Sequence, residues 1–244
     1  MTLPPDHPDT LNTRGGLARW RGEAGDAAGA VTAFEELLPD LVRVLASDHL
    51  ETFIARSNLA RWRGAAGDAP GAVTALEGLL PDRLRVLGPD HPGTFVARHS
   101  LAHWRGEAGD AAAAAAFARL LPDMVRVLGP DHPDTLTTRS SLAAWRGRAG
   151  NAVGGVATLS ALLPDLVRVL GPDHLETLTA RNNLAHWRGE AGDPHGAAAA
   201  CAELLSDRLR VLGPDHLHTR ATRENLAYWR ARSAAGATDR AHRA

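Results

Sequence analysis

Apolar residues along this chain recur at three- and four-residue spacing. In 194–212 they fall at Ala197, Cys201, Leu204, Leu205, Leu209 and Leu212, the single buried stripe that an α-helix requires. The stretch before it predicts a first helix from Leu175 to Ala191, ended by Gly192, which tolerates the left-handed C-terminal conformation. Asp193 then caps the second helix, with Pro194 in its first position. Gly213-Pro214 stops that helix near Leu212. No segment sustains a period of two, so no sheet is expected.

This helix pair is one unit of a repeat. The Asp of each Asp-His pair falls at 6, 48, 90, 131, 173 and 215, and tryptophan falls at 20, 62, 104, 145, 187 and 229. Both series step by 42, 42, 41, 42 and 42. The one missing residue lies between Asp110 and Phe117, near the start of a helix, where a shift is easiest to absorb. The pattern predicts an all-α solenoid of antiparallel helix pairs (6–47, 48–89, 90–130, 131–172, 173–214) with a C-terminal capping helix at 215–232. A single array over 1–232 and a flexible tail over 233–244 are expected.

Each junction carries a variant of "GPDHPDTL" (129–136). An Asp-His-x-Asp element occurring once would suit a hydrolase or a metal site; one recurring at every junction argues for a structural role. Asp131-x-x-Asp134, Asp48-x-x-Glu51, Asp173-x-x-Glu176 and Asp6-x-x-Asp9 have capping-box spacing. The first carboxylate is expected to accept from free N–H groups of the new helix, and the second to sit in its positive first turn. The histidine is carried along in that turn.

The units share further residues: Asn182-Asn183-Leu184-Ala185, Gly192-Asp193, Ala197, and Arg210 to His216 reading RVLGPDH. On these residues the chain resembles the tetratricopeptide repeat of the longer kinesin-light-chain type, over about 6–232. The resemblance implies a right-handed superhelix with the first helix of each pair (helix A) on the concave surface. It also implies an extended peptide held there by inner-helix asparagines, here Asn58, Asn182, Asn183 and Asn225. Three departures stand out: a tryptophan after Leu-Ala-x, an arginine after it, and a proline inside the second helix (helix B) at Pro39, Pro81, Pro122 and Pro164. These prolines are expected to bend helix B. A HEAT- or armadillo-like array has a similar period and is the alternative fold.

Variation between the copies separates two faces of helix A. The series from Thr10, Leu17, Ala18 and Trp20 stay nearly constant and cluster on one side of a helical wheel. Opposite them lie three varied series: Gly15, Ser57, His99, Ser140, Asn182, Glu224; Arg19, Arg61, His103, Ala144, His186, Tyr228; and Glu23, Ala65, Glu107, Arg148, Glu190, Arg232. A varied polar face is either plain solvent surface or a ligand groove. As a groove, its candidate residues are Arg19, Asn58, Arg61, His99, His103, Glu107, Asn182, Asn183, His186, Glu190, Asn225 and Tyr228. Two arginine series, from Arg14 and Arg21, fall among the apolar positions. Both are expected to pair with Asp40, Asp82, Asp123, Asp165 and Asp207 of helix B, since an unpaired charge there is costly. The glycines at 22, 64, 106, 147 and 189 mark either a close approach to the backbone or early fraying.

Composition narrows the function. Net charge is −1, from 27 basic and 28 acidic residues, so no global field draws the chain to nucleic acid or an anionic membrane. Every basic residue except histidine is arginine, and lysine and glutamine are absent, as the coding of a GC-rich bacterium produces. Cys201 is the only cysteine, which excludes an intrachain disulfide. The N-terminus lacks a signal-peptide pattern, and the longest apolar run, Ala111–Ala118, is short for a span; a cytoplasmic location is expected. His99-x₃-His103-x₃-Glu107 has chelating spacing, yet no other copy repeats it, and no metal is expected. Phosphate loops, serine elbows and Cys-His pairs are absent, so neither enzymatic activity nor a cofactor is expected. The expectation is a monomeric interaction module, with a homo-oligomer allowed, holding a peptide or protein partner on the concave face. The alternative is a sensory array that binds a signal peptide or small ligand and changes curvature.

Overall fold

The structure, a computed structural model, describes residues 4–243, with side chains through Ala235. Among these residues are eleven α-helices and no strand. A first compact unit runs through Val127 and a second from Leu128. The first holds α1 (Pro8–Glu23), α2 (Ala27–Leu45), α3 (Leu50–Ala65), α4 (Ala69–Leu87), α5 (Pro92–Glu107) and α6 (Ala113–Leu128). The second holds α7 (Pro133–Arg148), α8 (Ala152–Leu170), α9 (Leu175–Glu190), α10 (Pro194–Leu212) and α11 (Leu217–Arg243). Odd-numbered helices are the A helices and even-numbered ones the B helices. Consecutive helices pack from α1 to α5 and from α7 to α11, and successive A helices also touch within each unit.

Local chemistry sets the ends of each pair. Helix A closes through a glycine with positive φ, such as Gly25 at 101° and Gly192 at 102°. The next residue caps helix B: Asp26, Asp68 and Asp193 each accept the N–H of a residue three positions on at 2.8 Å. In the third pair Asp110 accepts from Ala112 instead, and α6 starts late with 16 residues against 19 in the other B helices. The deleted residue is absorbed there, as the period predicts. Helices α2, α4, α6 and α8 run through their prolines, and α2, α4 and α8 match the 19 residues of proline-free α10.

The pair core is filled by complementary volumes. Leu11 faces Phe34 in the first pair and Phe53 faces Leu76 in the second, with Leu37 or Leu79 beside them, all at most 1% exposed. Each such side chain contributes about 1.5–3 kcal/mol on burial. Helix α8 is long and apolar enough to cross a membrane. Its stripe Leu159, Leu162 and Leu166 is nevertheless fully buried against neighbouring helices, and its Asp165 and Arg168 sit in ion pairs. Constant threonines are buried too: Thr52, Thr94 and Thr177 donate to the carbonyls of Ala46, Gly88 and Gly171 at 2.8 Å, sealing three of the B-to-A turns.

In four A helices the glycine near the end makes room for a neighbour. A Cβ on Gly22 would lie 2.5 Å from the Trp62 ring, and one on Gly64 or Gly189 equally close to Trp104 or Trp229. Gly147 meets Trp187 in the same way. Each tryptophan thus lies flat on the backbone of the preceding A helix, which settles the close-approach reading at these four positions. In α1, the first described helix, Trp20 is 63% exposed and Leu17 65%.

The junction motif works differently from the capping-box expectation. The histidine is the N-cap: Nδ1 of His7, His49, His132, His174 and His216 accepts the N–H two residues on at 3.2 Å, and that of His91 at 3.0 Å. The aspartate before it instead binds an arginine in the last turn of its own pair's helix B. Asp131 takes both terminal nitrogens of Arg168 at 2.9 and 2.5 Å, and Asp173 those of Arg210 at 2.7 and 2.5 Å. Asp90 holds Arg126 likewise, while Asp6–Arg43 and Asp48–Arg85 are looser at 3.5 and 4.0 Å. A forked guanidinium bound by two parallel hydrogen bonds outcompetes a cap that an imidazole nitrogen can supply.

The same B-helix arginine also reaches the aspartate three residues before it, which meets the Arg14 series. Arg14–Asp40, Arg56–Asp82, Arg98–Asp123, Arg139–Asp165 and Arg181–Asp207 lie at 2.7 to 3.0 Å. Each pair therefore carries an alternating chain of four charges, such as Asp131–Arg168–Asp165–Arg139. The Arg21 series does not share those aspartates. Arg21 binds Asp26, Arg63 and Arg105 reach back to Glu35 and Glu77 of the preceding B helix, and Arg146 donates to Thr158. Set seven residues along helix A, these arginines lie beyond the reach of the B-helix aspartates.

Arg83 and Arg208 occupy the core position held elsewhere by Leu41, Met124 and Leu166, at 5% and 2% exposure. Neither meets a carboxylate among the described residues. Arg83 donates to Ser57 Oγ and to the carbonyls of Phe53 and Gly93. Arg208 donates to Thr222 and to the carbonyls of Leu178 and His218. Burial lowers both pKa values, and each Nε is left without a partner. At the C-terminal end, α11 continues past the expected boundary at 232 to Arg243, so the segment expected as a flexible tail is helical through that residue.

Two predictions follow from packing and charge. Gly64→Ala lowers the urea midpoint by the equivalent of about 1–3 kcal/mol, because its methyl overlaps Trp104. Gly16→Ala, whose methyl meets open space, raises stability by about 1 kcal/mol through helix propensity. The second concerns acid. Hydrogen bonds from Arg168 hold Asp131 below its ordinary value of 3.8, and those from Arg139 and then Arg168 do the same for Asp165. Their stabilisation is complete above the unfolded-state value and is lost as pH falls from there through the lowered folded-state value. Melting temperature measured from pH 7 downward drops below about pH 4, and Asp131→Asn gives a lower plateau with a shallower acid limb; parallel curves contradict the ladder.

Candidate functional site

The varied positions of helix A do not all face solvent. Ser57 Oγ donates to the Phe53 carbonyl and accepts from Arg83, His99 packs edge-on to Phe117 at 5.0 Å, and Ser140 is buried. Variation in this first series thus follows differences in the core beneath it. Its first copy is the exception. Gly15-Gly16 has no side chain where other copies carry Ser57-Asn58 or Asn182-Asn183.

That gap forms a pocket of about 160 Å³ between α1 and α3. Its floor is Leu11, Phe34, Leu37 and Leu41 of the first pair, and Ile54, 42% exposed, forms one wall. Asn12, Arg19, Glu51 and Asn58 complete the lining. Two expected residues, Arg19 and Asn58, are brought together here. Arg19 lies 3.8 Å from Glu23, and Arg61, one turn beyond Asn58, lies over its own Trp62 at 4.6 Å. Asn12, Glu51 and Ile54 escape a reading based on polar variation. The consecutive glycines were the available signal.

In the same unit His103 packs edge-on to Trp104 at 4.7 Å, and Glu107 is exposed at the end of α5. No group of three metal-ligating side chains stands close enough to hold an ion among the described residues. In the second unit Asn225 donates to Asn182 at 3.2 Å, linking α11 to α9, and Asn183 lies half-buried beside them. His186 sits between Trp187 and Trp229, with ring centroids at 4.6 and 5.9 Å. Arg232 donates to the Tyr228 hydroxyl at 2.9 Å and to Glu190 at 3.3 Å. The bond between Asn225 and Asn182 pre-sets these two amides along successive A helices.

Residues 52–93 and 177–218, each spanning helices A and B and the following junction, match the tetratricopeptide repeat family model. These units are tetratricopeptide repeats. No curated relative matches the chain in sequence. Among solved structures, a putative kinesin light chain of Podospora anserina with nearly identical tetratricopeptide-like repeats is similar at a TM-score of 0.68 and 22% identity, over 84% of this chain and 97% of that one. The BtubC (BKLC) protein of P. vanneervenii gives 0.64 and 18%, over 96% and 90%. A thermophilic tetratricopeptide-repeat protein of Thermus thermophilus gives 0.60 and 16%, over 89% and 99%. The likenesses establish the fold as a tetratricopeptide-type solenoid rather than a HEAT or armadillo one.

Proposed function

We propose that the chain is a non-enzymatic interaction module that holds an extended peptide segment of a protein partner on its helix-A face. Tetratricopeptide repeats generally serve as protein-interaction scaffolds. The observation that carries the finer reading is the Gly15-Gly16 pocket. A cavity of about 160 Å³ has room for a side chain of roughly benzene size. Its apolar floor suits a leucine- or phenylalanine-sized anchor, while Asn12 and Asn58 supply amide donors and acceptors for an extended backbone. Arg61 adds an exposed cation that pairs with no carboxylate among the described residues. An apolar anchor with polar contacts around it is the usual anatomy of a peptide site.

Selection of a displayed peptide library on the full chain tests this reading. Selected peptides share an apolar residue, and Gly15→Leu, which fills the cavity from within, weakens them more than about tenfold while leaving melting unchanged or raised. Peptides that bind the Gly15→Leu chain equally well, or a library that yields no binder, contradict it.

A further inference from the structure

A second pocket lies on a different side of α5 from His99, His103 and Glu107. Arg98, Leu101 and Arg105 of α5, Leu80 of α4, and Arg119 and Leu120 of α6 line it. It is half-open and measures about 160 Å³. Leu101 and Leu120 are buried and form its floor. Three guanidinium groups therefore border one apolar hollow.

Two of them already have structural partners. Arg98 Nη1 binds Asp123 at 3.0 Å and Arg105 Nη2 binds Glu77 at 2.7 Å. Arg119 has no carboxylate partner among the described residues. Nor does the repeat require an arginine there, since the equivalent positions hold Glu36, Gly78, Ala161 and Glu203. Without Arg119 the arginines and carboxylates balance; with it the hollow carries one surplus positive charge.

We propose that this pocket binds a small aryl carboxylate. Its ring lies on Leu80, Leu101 and Leu120, and its carboxylate meets Arg119 together with guanidinium N–H groups that Arg98 and Arg105 do not commit to Asp123 and Glu77. The volume suits one benzene ring, and charge-assisted hydrogen bonds to arginine fix the carboxylate. A bare phosphate fits poorly, because three leucine walls strip its hydration and return nothing.

Methyl-resolved NMR titration of the full chain tests the site with benzoate, benzyl alcohol and inorganic phosphate. Benzoate shifts the methyls of Leu80, Leu101 and Leu120 saturably, benzyl alcohol binds at least about tenfold more weakly, and phosphate leaves those methyls in place. Arg119→Ala and Arg119→Glu, residues the repeat already accepts at 161 and 36, keep the melting temperature and weaken benzoate about tenfold or more. The proposal is overturned if benzoate gives no saturable shift, if either variant binds it as well as the parent, if benzyl alcohol matches it, or if equimolar phosphate displaces it.

Discussion

The contact on which each unit depends is an indole ring lying on a bare helix backbone. Trp62, Trp104, Trp187 and Trp229 each rest where a glycine of the preceding A helix leaves no Cβ. Glycine in a helix costs about 1 kcal/mol against alanine. Here it lets two A helices approach closely enough to bury one of the largest side chains available, and Trp229 is 1% exposed as a result. Period, spacing and burial all follow from repeating that step. Trp62 and Trp187 also bury an indole N–H with no partner, a cost that close packing of the ring must exceed.

The junctions add direction to this packing. Each Asp-His element splits its labour: histidine caps the new helix, and aspartate clamps the end of the helix B that follows in the same pair. The four-charge chain then ties helix A to helix B across their partly exposed edge. Exposed ion pairs contribute little singly, so the ladder is best understood as setting the angle within each pair, with apolar burial supplying most of the stability. Where the core position takes Arg83 or Arg208, the same logic turns inward. Guanidinium groups there bind helix carbonyls of two successive pairs, fastening α3 to α5 and α9 to α11.

Helix number, order and boundaries were legible because a 42-residue period overdetermines them: α9 and α10 lie within a residue of their expected limits. The cap was not legible, since aspartate and histidine both fit an N-terminal turn and the arginine that decides between them stands 37 residues away. The Arg14 partners could be read because they recur at one place in every pair; the Arg21 partners could not, because they change from copy to copy, with Asp26 and Thr158 in the same pair and Glu35 and Glu77 in the preceding one. The candidate face was only half visible. Positions such as Ser57 and His99 vary with the core beneath them, whereas the opening over Phe34 and Leu37 comes from two residues with no side chain at all.

Both proposed sites are departures from a regular scaffold, at Gly15-Gly16 on the helix-A side and at Arg119 near the B helices. The scaffold itself rests on the glycine–tryptophan step, and a double-mutant cycle at Gly64 and Trp104 tests that step most directly. Chemical denaturation would be measured for Gly64→Ala in the parent and in a Trp104→Ala background. The account predicts a change of sign: destabilising while the indole is present, and stabilising by about 1 kcal/mol once it is gone. An equal loss of stability in both backgrounds would contradict it.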